Sequence, residues 1–280
     1  PEIVEGITFQ YPTAAEYGYN GYFAEGLTWS FKNGELSIGG AGELPVYASE
    51  DRAPWRDYED QITSVKIGLG ITSIPEGFLG GYDAIETLTI PFIGSHADSA
   101  NTQDAVLGHI FGRANEGTVQ YYIKNDGGEL SGFHYQIPQA LKVVHITNDT
   151  SIPFGAFSNC ANLTAVYLSA GVSNVDSFVF YQCTGLKEVY FAGNAPAIAG
   201  DAFRSCGSLT AYIPAENATW TDSAKQNYYA SNIAWVEKVV VTMDEIVVAQ
   251  PAAGGTPAAL SGKDGAYTVA TTWTALDGTS

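Results

Sequence analysis

One pattern recurs three times between residues 151 and 214, and it constrains the fold more than any other feature. The copies begin at Ser151, Asn174 and Ala197, so equivalent positions stand 23 residues apart. The residues predicted to form the repeated core are Phe157, Cys160, Leu163, Val166, Phe180, Cys183, Leu186, Val189, Phe203, Cys206 and Leu209. Because these residues keep one register, they predict a stack of equivalent structural units.

Each unit is predicted to contain one strand, a turn and a return leg. Val166 and Leu168 alternate with Ala165 and Tyr167, which is the period of a β-strand. A unit of this size buries too little apolar surface to offset the entropy of ordering its backbone. Stacking on neighbouring units is therefore required. A period in the twenties is typical of a leucine-rich-repeat solenoid.

The repeated residues also resemble a known family. The pattern I-x-x-x-A-F-x-x-C-x-x-L-x-x-V/I-x-L, complete at residues 152–168, is similar to the BspA-like leucine-rich repeats of bacterial surface proteins. The resemblance covers roughly residues 26–236, with departures at Val179 and Pro214. It implies an α/β leucine-rich-repeat solenoid, a strand-rich horseshoe with a parallel sheet. It further implies a secreted or cell-surface protein, outside the bacterial cell, that binds host or microbial proteins.

The sequence divides into three predicted regions. Residues 1–60 form a leader and a β cap, in which Asn33-Gly34 predicts a type I′ hairpin turn. Residues 61–236 form the repeats, which end with a closing helix at about 219–232 because Thr219 and Asp222 have the spacing of a capping box. Residues 237–280 resemble part of an Ig-like β module and are too few for a complete sandwich.

The period is interrupted at about residues 91–138. The step from Ile85 to Leu141 is 56 residues, which is one repeat of 23 plus 33 more. We expect a turn that carries a side hairpin on one face of the solenoid. The motif LGHIFG at 107–112 resembles an excursion found in the same family. Insertions of this kind often line the binding face, so the segment is a functional candidate.

Composition narrows the classes of partner. The chain has 12 Lys and Arg against 30 Asp and Glu, and its net charge of −18 argues against binding nucleic acid or anionic lipid. The sequence contains no run of 18 apolar residues, so we expect no membrane insertion. Because it begins at Pro1 without a methionine or signal peptide, we interpret it as a mature or trimmed chain.

No catalytic motif stands out, and we predict a protein that is not an enzyme and uses no cofactor. The four histidines, in or just after the interruption, form no H-E-x-x-H pair, and neither G-x-S-x-G nor a phosphate-binding glycine loop is present. We expect no metal site, because the three cysteines lie far from the spacing of zinc ligands. They share one repeat column and are predicted to be reduced, buried thiols.

The outward positions of the repeat strands are the best binding candidates. Alternation predicts a contiguous stripe on the concave sheet, formed by His145, Tyr167, Glu188, Tyr190 and Ile213. An apolar and aromatic stripe on a solvated face can mark a binding site. The same side chains can instead pair across strands and stabilise the sheet without binding anything. Both interpretations remain open from the sequence.

Three functions compete. The first is recognition of, or adhesion to, a host or microbial extracellular protein. The second is a structural spacer that projects other modules of a larger surface protein. The third is a glycan-binding or hydrolytic accessory module, which requires acidic residues of the insertion to converge on a pocket with raised pKa values. Neither the partner nor the oligomeric state can be read from the sequence.

Overall fold

The structure is a computed structural model that describes residues 18–47, 53–99, 102–124, 129–238, 260–262 and 265–267. The chain divides into two compact units, Pro1–Val240 and Val241–Ser280. The strands of the first unit, in chain order, are β1 (Tyr19–Ala24), β2 (Leu27–Lys32), β3 (Glu35–Gly40), β4 (Gly42–Glu43), β5 (Ser64–Ile67), β6 (Ile71–Ser73), β7 (Thr87–Ile90), β8 (Arg113–Lys124), β9 (Glu129–Tyr135), β10 (Val143–Ile146), β11 (Ser151–Ile152), β12 (Ala165–Leu168), β13 (Asn174–Val175), β14 (Glu188–Phe191), β15 (Ala197–Ile198), β16 (Ser208–Pro214) and β17 (Asn232–Lys238).

One ten-stranded sheet organises the first unit, in the order β1-β2-β3-β5-β7-β10-β12-β14-β16-β17. The strands from β3 to β17 are parallel, and the chain makes about seven turns to pass through them. A three-stranded sheet of β11, β13 and β15 runs along the return legs. The predicted strand-rich, parallel solenoid is therefore confirmed. Helix is scarce in the described residues: a 3₁₀ helix at Arg56–Gln61 and the four-residue α1 at Gly108–Phe111.

The interior is built from the repeated columns. Each of the eleven predicted core residues is at most 5% exposed. The rings of Phe157, Phe180 and Phe203 stack at centroid distances of 5.3 and 4.7 Å. Backbone bonds join the same turns, because Phe157 N donates to Val179 O at 2.9 Å and this bond recurs one turn later. Apolar packing and backbone pairing thus follow one period, as a solenoid requires.

The three cysteines form a column beside the phenylalanines. All three thiols are free and buried, as predicted. Cys183 Sγ donates to Phe157 O, and Cys206 Sγ donates to Phe180 O, both at 3.0 Å. Burial raises the pKa of the Cys160 and Cys206 thiols to about 12. The column therefore packs as small apolar residues that also satisfy carbonyls of the preceding turn.

The first turn of the solenoid is covered by an antiparallel β-meander of β1, β2 and β3. Asn33 and Gly34 both have positive φ angles, 50° and 82°, which a type I′ turn requires. Trp55 is fully buried below this meander, among the rings of Phe23, Trp29 and other aromatic residues. These tryptophans form the core of the N-terminal cap.

The predicted closing helix is wrong, because residues 219–231 form turns and irregular structure and β17 begins at Asn232. The Thr219 hydroxyl is not available to cap a helix, since it donates to Asn217 Oδ1 and accepts from Ala195 N at 2.9 Å. Tyr228 and Tyr229 have positive φ angles of 44° and 63°, which break a helical path. Trp220, only 5% exposed, covers this end of the solenoid instead.

The second unit contains two described strands, β18 (Leu260–Gly262) and β19 (Gly265–Tyr267), which pair antiparallel. Residues 239–259, 263–264 and 268–280 of the predicted Ig-like module lie outside the described residues, as do residues 1–17 of the predicted leader and cap region. Within the part of the chain that the structure describes, no helix has the length and apolar character needed to span a membrane.

Candidate binding surface on the outer face of the sheet

Four ring side chains line up on the outer face of the ten-stranded sheet. Parallel pairing aligns His145 with Tyr167, Tyr167 with Tyr190, and Tyr190 with Tyr212. Each side chain points outward because the residues before and after it on its strand are buried and point into the core. We call these four residues the aromatic ladder. Register alone brings them together from four successive turns.

The rings of the aromatic ladder stack face to face. Successive centroids are 4.1, 4.1 and 4.5 Å apart, with interplanar angles of 11°, 7° and 21°. Adjacent strands in a sheet are about 4.7–4.9 Å apart, so in-register rings have room for this arrangement and for little else. The flat faces are therefore covered by one another. The ring edges and polar tips remain at the surface, and all four side chains are half-buried.

Glu188 binds the polar tips of two rings. The Tyr190 hydroxyl donates to Glu188 Oε2 at 2.9 Å, and the Tyr212 hydroxyl donates to Oε1 at 3.3 Å. Burial, together with the hydrogen bond to Glu188, raises the pKa of Tyr190 well above its ordinary value. The phenol thus stays protonated at any physiological pH, and the carboxylate fixes the position of both rings.

The two ends of the aromatic ladder differ. At one end, His145 pairs with Thr89, and burial lowers the pKa of the His145 imidazole. The ring is therefore neutral at pH 7. At the other end, Lys238 Nζ lies 3.5 Å from the centroid of the Tyr212 ring and 5.2 Å from that of Tyr190. A neutral stack of rings thus ends on a positive charge.

Ile213 does not belong to this surface, and its prediction is wrong. Its side chain is 1% exposed, and Tyr212 takes the position beside Tyr190. In the preceding repeats the chain bends between the repeated leucine and the strand. Strand β16 begins earlier, at Ser208, so Leu209, Ala211 and Ile213 alternate directly into the core. The last repeat is therefore one residue shorter at this point, which moves Tyr212 outward.

The sequence contained a signal for Tyr212. The segment Leu209-Thr-Ala-Tyr-Ile213 alternates apolar and polar residues without interruption, as expected for a half-buried strand. The prediction instead applied the fixed step of 23 residues from Tyr190, which leads to Ile213. The other four predicted residues, His145, Tyr167, Glu188 and Tyr190, lie together on the outer face.

The interruption at 91–138 forms a hairpin of β8 and β9, with α1 before it. Gln120, fully buried, connects this hairpin to its neighbours. Its Nε2 donates to Ala156 O at 3.0 Å and to Ser158 O at 3.4 Å, while its Oε1 accepts from Gly108 N. The hairpin is also tied to the preceding turn by the ion pair of Arg113 and Glu76, at 2.7 Å.

Acidic residues do meet at the start of the interruption. The Asp149 carboxylate, 1% exposed, accepts from Ile93 N at 2.7 Å and from Asp98 N at 3.1 Å. Asp98 in turn accepts from both the backbone N–H and the hydroxyl of Thr150. Burial raises the pKa of Asp149 to about 6. Three of these four bonds come from backbone N–H groups and the fourth from the Thr150 hydroxyl, so the cluster holds the interruption in place.

A serine and a histidine next to that cluster do not form a catalytic relay. The Ser95 hydroxyl donates to Asp104 Oδ2 at 3.0 Å and contacts His96 Nδ1 at 2.8 Å. The serine therefore lies between the other two residues, whereas a relay needs the histidine there. Among the described residues, no three His, Cys, Asp or Glu side chains are arranged to hold a metal ion.

The fold and this surface define a leucine-rich-repeat solenoid, and comparison with known proteins specifies the type of repeat. Residues 135–233 match the BspA type leucine-rich repeat region in six copies. The repeats in this part of the chain are therefore of the BspA type, which confirms the resemblance seen in the sequence.

Two solved structures are also similar. One is a leucine-rich repeat protein from Eubacterium ventriosum ATCC 27560, with 16% identity, coverage of 78% of this chain and 84% of that chain, and a TM-score of 0.28. The other is a leucine-rich cell surface protein from Faecalibacterium prausnitzii A2-165, with 12% identity, coverage of 78% and 95%, and a TM-score of 0.24. No curated protein matches the sequence significantly.

Proposed function

We propose that the protein recognises another protein through the outer face of its sheet, as a module of a bacterial cell-surface protein. The observation that carries the proposal is the aromatic ladder, in which four half-buried rings from four turns form one continuous strip. Tyrosine is enriched at protein interfaces because its ring is apolar and its tip is polar. The repeats, of the BspA type, hold that strip on a rigid scaffold.

The geometry favours a protein over a glycan as the ligand. Saccharides commonly pack on the flat face of an aromatic ring, and the faces between His145 and Tyr212 are already covered by stacking at 4.1–4.5 Å. Ring edges and phenol groups remain for contact. These suit the mixture of apolar and hydrogen-bonding groups on a protein surface. The acidic cluster at Asp149 adds no glycan site, since its carboxylate binds backbone N–H groups.

A spacer is the second candidate, and one observation favours it. The rings stack on each other and two of their hydroxyls donate to Glu188, so the aromatic ladder is satisfied within the chain. A surface with those internal bonds can stabilise the sheet without any partner. Removal of the rings therefore distinguishes the two candidates: it should weaken partner binding if the protein recognises another protein, and should affect no binding if the protein is a spacer.

The deciding experiment is capture of extracellular host and co-resident bacterial proteins on the immobilised chain. Tyr167→Ala combined with Tyr190→Ala is expected to weaken capture by more than about 2 kcal/mol, the scale of interface hot spots. The matched control replaces Tyr22 and Tyr229, two tyrosines outside the aromatic ladder that are 82% and 73% exposed. Circular dichroism of all variants checks that the fold is retained.

Each outcome selects one interpretation. Loss of a partner in the ladder variant alone supports recognition through the outer face. A partner kept by both variants contradicts that site and directs attention to the hairpin of β8 and β9. Capture of nothing, at any salt or calcium concentration, favours the spacer.

A further inference from the structure

The aromatic ladder ends on an ammonium group. Lys238, at the end of β17, is exposed, and its Nζ lies over the Tyr212 ring at 3.5 Å from the centroid. The residue aligned with Tyr212 on β17 is Val236. Its side chain is too small to cover the ring as another tyrosine would. Because the Tyr190 and Tyr212 centroids are 4.5 Å apart and Lys238 Nζ is only 5.2 Å from that of Tyr190, the ammonium lies beside the last two rings and not beyond the outer face of Tyr212. The last two rings of the stack thus share one cation.

The electrostatics of this end favour positive charge. Glu188 accepts hydrogen bonds from the Tyr190 and Tyr212 hydroxyls, which places a carboxylate at the tips of the two rings that Lys238 Nζ approaches. The face of an aromatic ring attracts cations through its quadrupole. A phenol that donates a hydrogen bond to a carboxylate has a more electron-rich ring, which strengthens that attraction. The chain as a whole carries a net charge of −18, so it also draws cationic partners from a distance.

We propose that this end of the aromatic ladder is a cation-binding site, which Lys238 occupies in the free protein and which an arginine or lysine of a protein partner occupies in the complex. The inference rests on the proposed recognition function and names the chemistry of the partner, a basic segment. Arginine suits the site best, because its planar guanidinium stacks on an aromatic ring while its N–H groups reach a carboxylate such as Glu188.

Exchange of the two cations is physically easy. A cation over an exposed ring is held weakly, since water competes for it. Lys238 is exposed, and β17 is the last strand of the sheet within the described residues. An incoming side chain can therefore approach the Tyr212 ring past Val236, which is 39% exposed. Lys238 then returns to water with little loss of free energy.

The test uses two small probes that differ only in charge. N-acetylarginine methylamide carries the guanidinium, and N-acetylcitrulline methylamide replaces it with a neutral urea. Titrations of the full chain are followed by NMR of labelled tyrosine rings. Lys238→Met removes the resident cation and keeps the length of the side chain. It is expected to bind the arginine probe about three- to tenfold more tightly than the wild type, while citrulline binds neither.

A matched lysine and a ring variant complete the test. Lys187→Met removes an exposed charge one residue before β14 and is expected to leave the affinity for the arginine probe unchanged. Tyr212→Leu, added to Lys238→Met, is expected to abolish the gain. If that double variant fails to fold by circular dichroism, Tyr212→Phe replaces it, and loss of the hydroxyl that contacts Glu188 is expected to reduce the gain.

Two results overturn the cation site: equal affinity of wild type and Lys238→Met for arginine, or equally tight binding of citrulline. The recognition function fails separately. Arginine binding without any captured protein supports the cation site and removes recognition. A protein captured through the tyrosines, with no arginine binding, preserves recognition and removes the cation site.

Discussion

The uninterrupted repeats and the interrupted turn use different hydrogen-bond donors to join neighbouring turns of the solenoid. In the repeats, backbone N–H groups of one turn donate to carbonyls of the next: Phe157 N donates to Val179 O, and Asn159 N donates to Tyr181 O at 2.7 Å. One turn earlier, the equivalent carbonyls of Ala156 and Ser158 accept from the side chain of Gln120. Ala156 O also accepts from a backbone group, Leu107 N at 2.9 Å, so the buried amide takes the place of a backbone donor at Ser158 and adds a second bond at Ala156.

The contrast teaches which parts of the solenoid tolerate change. Backbone bonds do not depend on side-chain identity, so the repeats need only apolar residues of suitable size at the core columns. The interruption depends on individual polar side chains, namely Gln120, Asp149 and the Arg113–Glu76 pair. A buried polar group that loses its partner costs more than an apolar group that is trimmed slightly. The two regions should therefore respond differently to substitution.

The largest effect is expected from the repeat core. Phe180→Ala removes a fully buried ring that stacks between Phe157 and Phe203. Loss of burial and the remaining cavity are expected to lower the free energy of unfolding by about 3–5 kcal/mol. Chemical denaturation of the full chain measures the change.

The matched substitution in the interruption is Phe133→Ala. Phe133 lies on β9, half-buried, and stacks on Tyr122 at 5.6 Å. It fills no closed core, so its loss is expected to cost under about 1.5 kcal/mol. Equal destabilisation by the two alanine variants would show that the hairpin is as tightly packed as the repeats and would remove the comparison.

The second prediction concerns Gln120. Gln120→Leu keeps the volume of the side chain but leaves Gly108 N–H without its acceptor and Ser158 O without this donor. At about 1–2 kcal/mol for each of these two buried groups, the free energy of unfolding is expected to fall by roughly 2–4 kcal/mol. Hydrogen exchange is expected to accelerate first at Gly108 and across β8.

The control for Gln120 is Gln136→Leu, at an exposed position just after β9. It is expected to change stability by less than about 0.5 kcal/mol. A Gln120→Leu protein as stable as the wild type would mean that water or neighbouring groups satisfy the freed bonds. The polar amide would then have no special part in replacing the backbone.

The sequence was sufficient to predict the solenoid because its signal is redundant. The positions of Phe157, Phe180 and Phe203 each report the same period, and the parallel sheet follows from that period. It could not predict the end of the solenoid. Thr219 and Asp222 have the spacing of a helix start, but the Thr219 hydroxyl binds Asn217 and Ala195, partners set by the tertiary fold.

The candidate site was only partly predictable, for the same reason. The alternation of apolar and polar residues predicted that His145, Tyr167 and Tyr190 lie on one face. This worked because successive side chains of a strand point to opposite faces, which depends only on the local sequence. The replacement of Ile213 by Tyr212 depends on where β16 begins, which is a one-residue change in register. The position of Lys238 over Tyr212 depends on how β17 pairs with β16. Such pairings carry no periodic signal.

The third prediction concerns pH and the anchor of the interruption. Burial, helped by the charge of Asp98, raises the pKa of Asp149 to about 6, although the backbone N–H groups of Ile93 and Asp98 and the nearby His96 act to lower it. The native protein therefore retains this proton between about pH 4 and 6, where an unfolded aspartate has lost it. Its contribution to stability falls as pH rises through that window and is fully lost above it. The total change is at most about 3 kcal/mol at about 1.4 kcal/mol per pKa unit.

Asp149→Asn isolates this contribution, because asparagine does not titrate. Asparagine has one acceptor where the carboxylate has two, so the variant can be more or less stable than the wild type at any single pH. The expected result is therefore the trend: relative to the wild type, the variant gains stability as pH rises from about 4 to 6.5. Urea denaturation at several pH values measures it, with Asp222→Asn, an exposed position, as the control. A difference between variant and wild type that stays flat with pH would mean that the carboxylate binding Ile93 and Asp98 titrates as it does in water. The interruption would then be held by a carboxylate with an ordinary pKa. Its polar anchors would differ from the apolar repeats only in their hydrogen bonds and not in the pH dependence of stability.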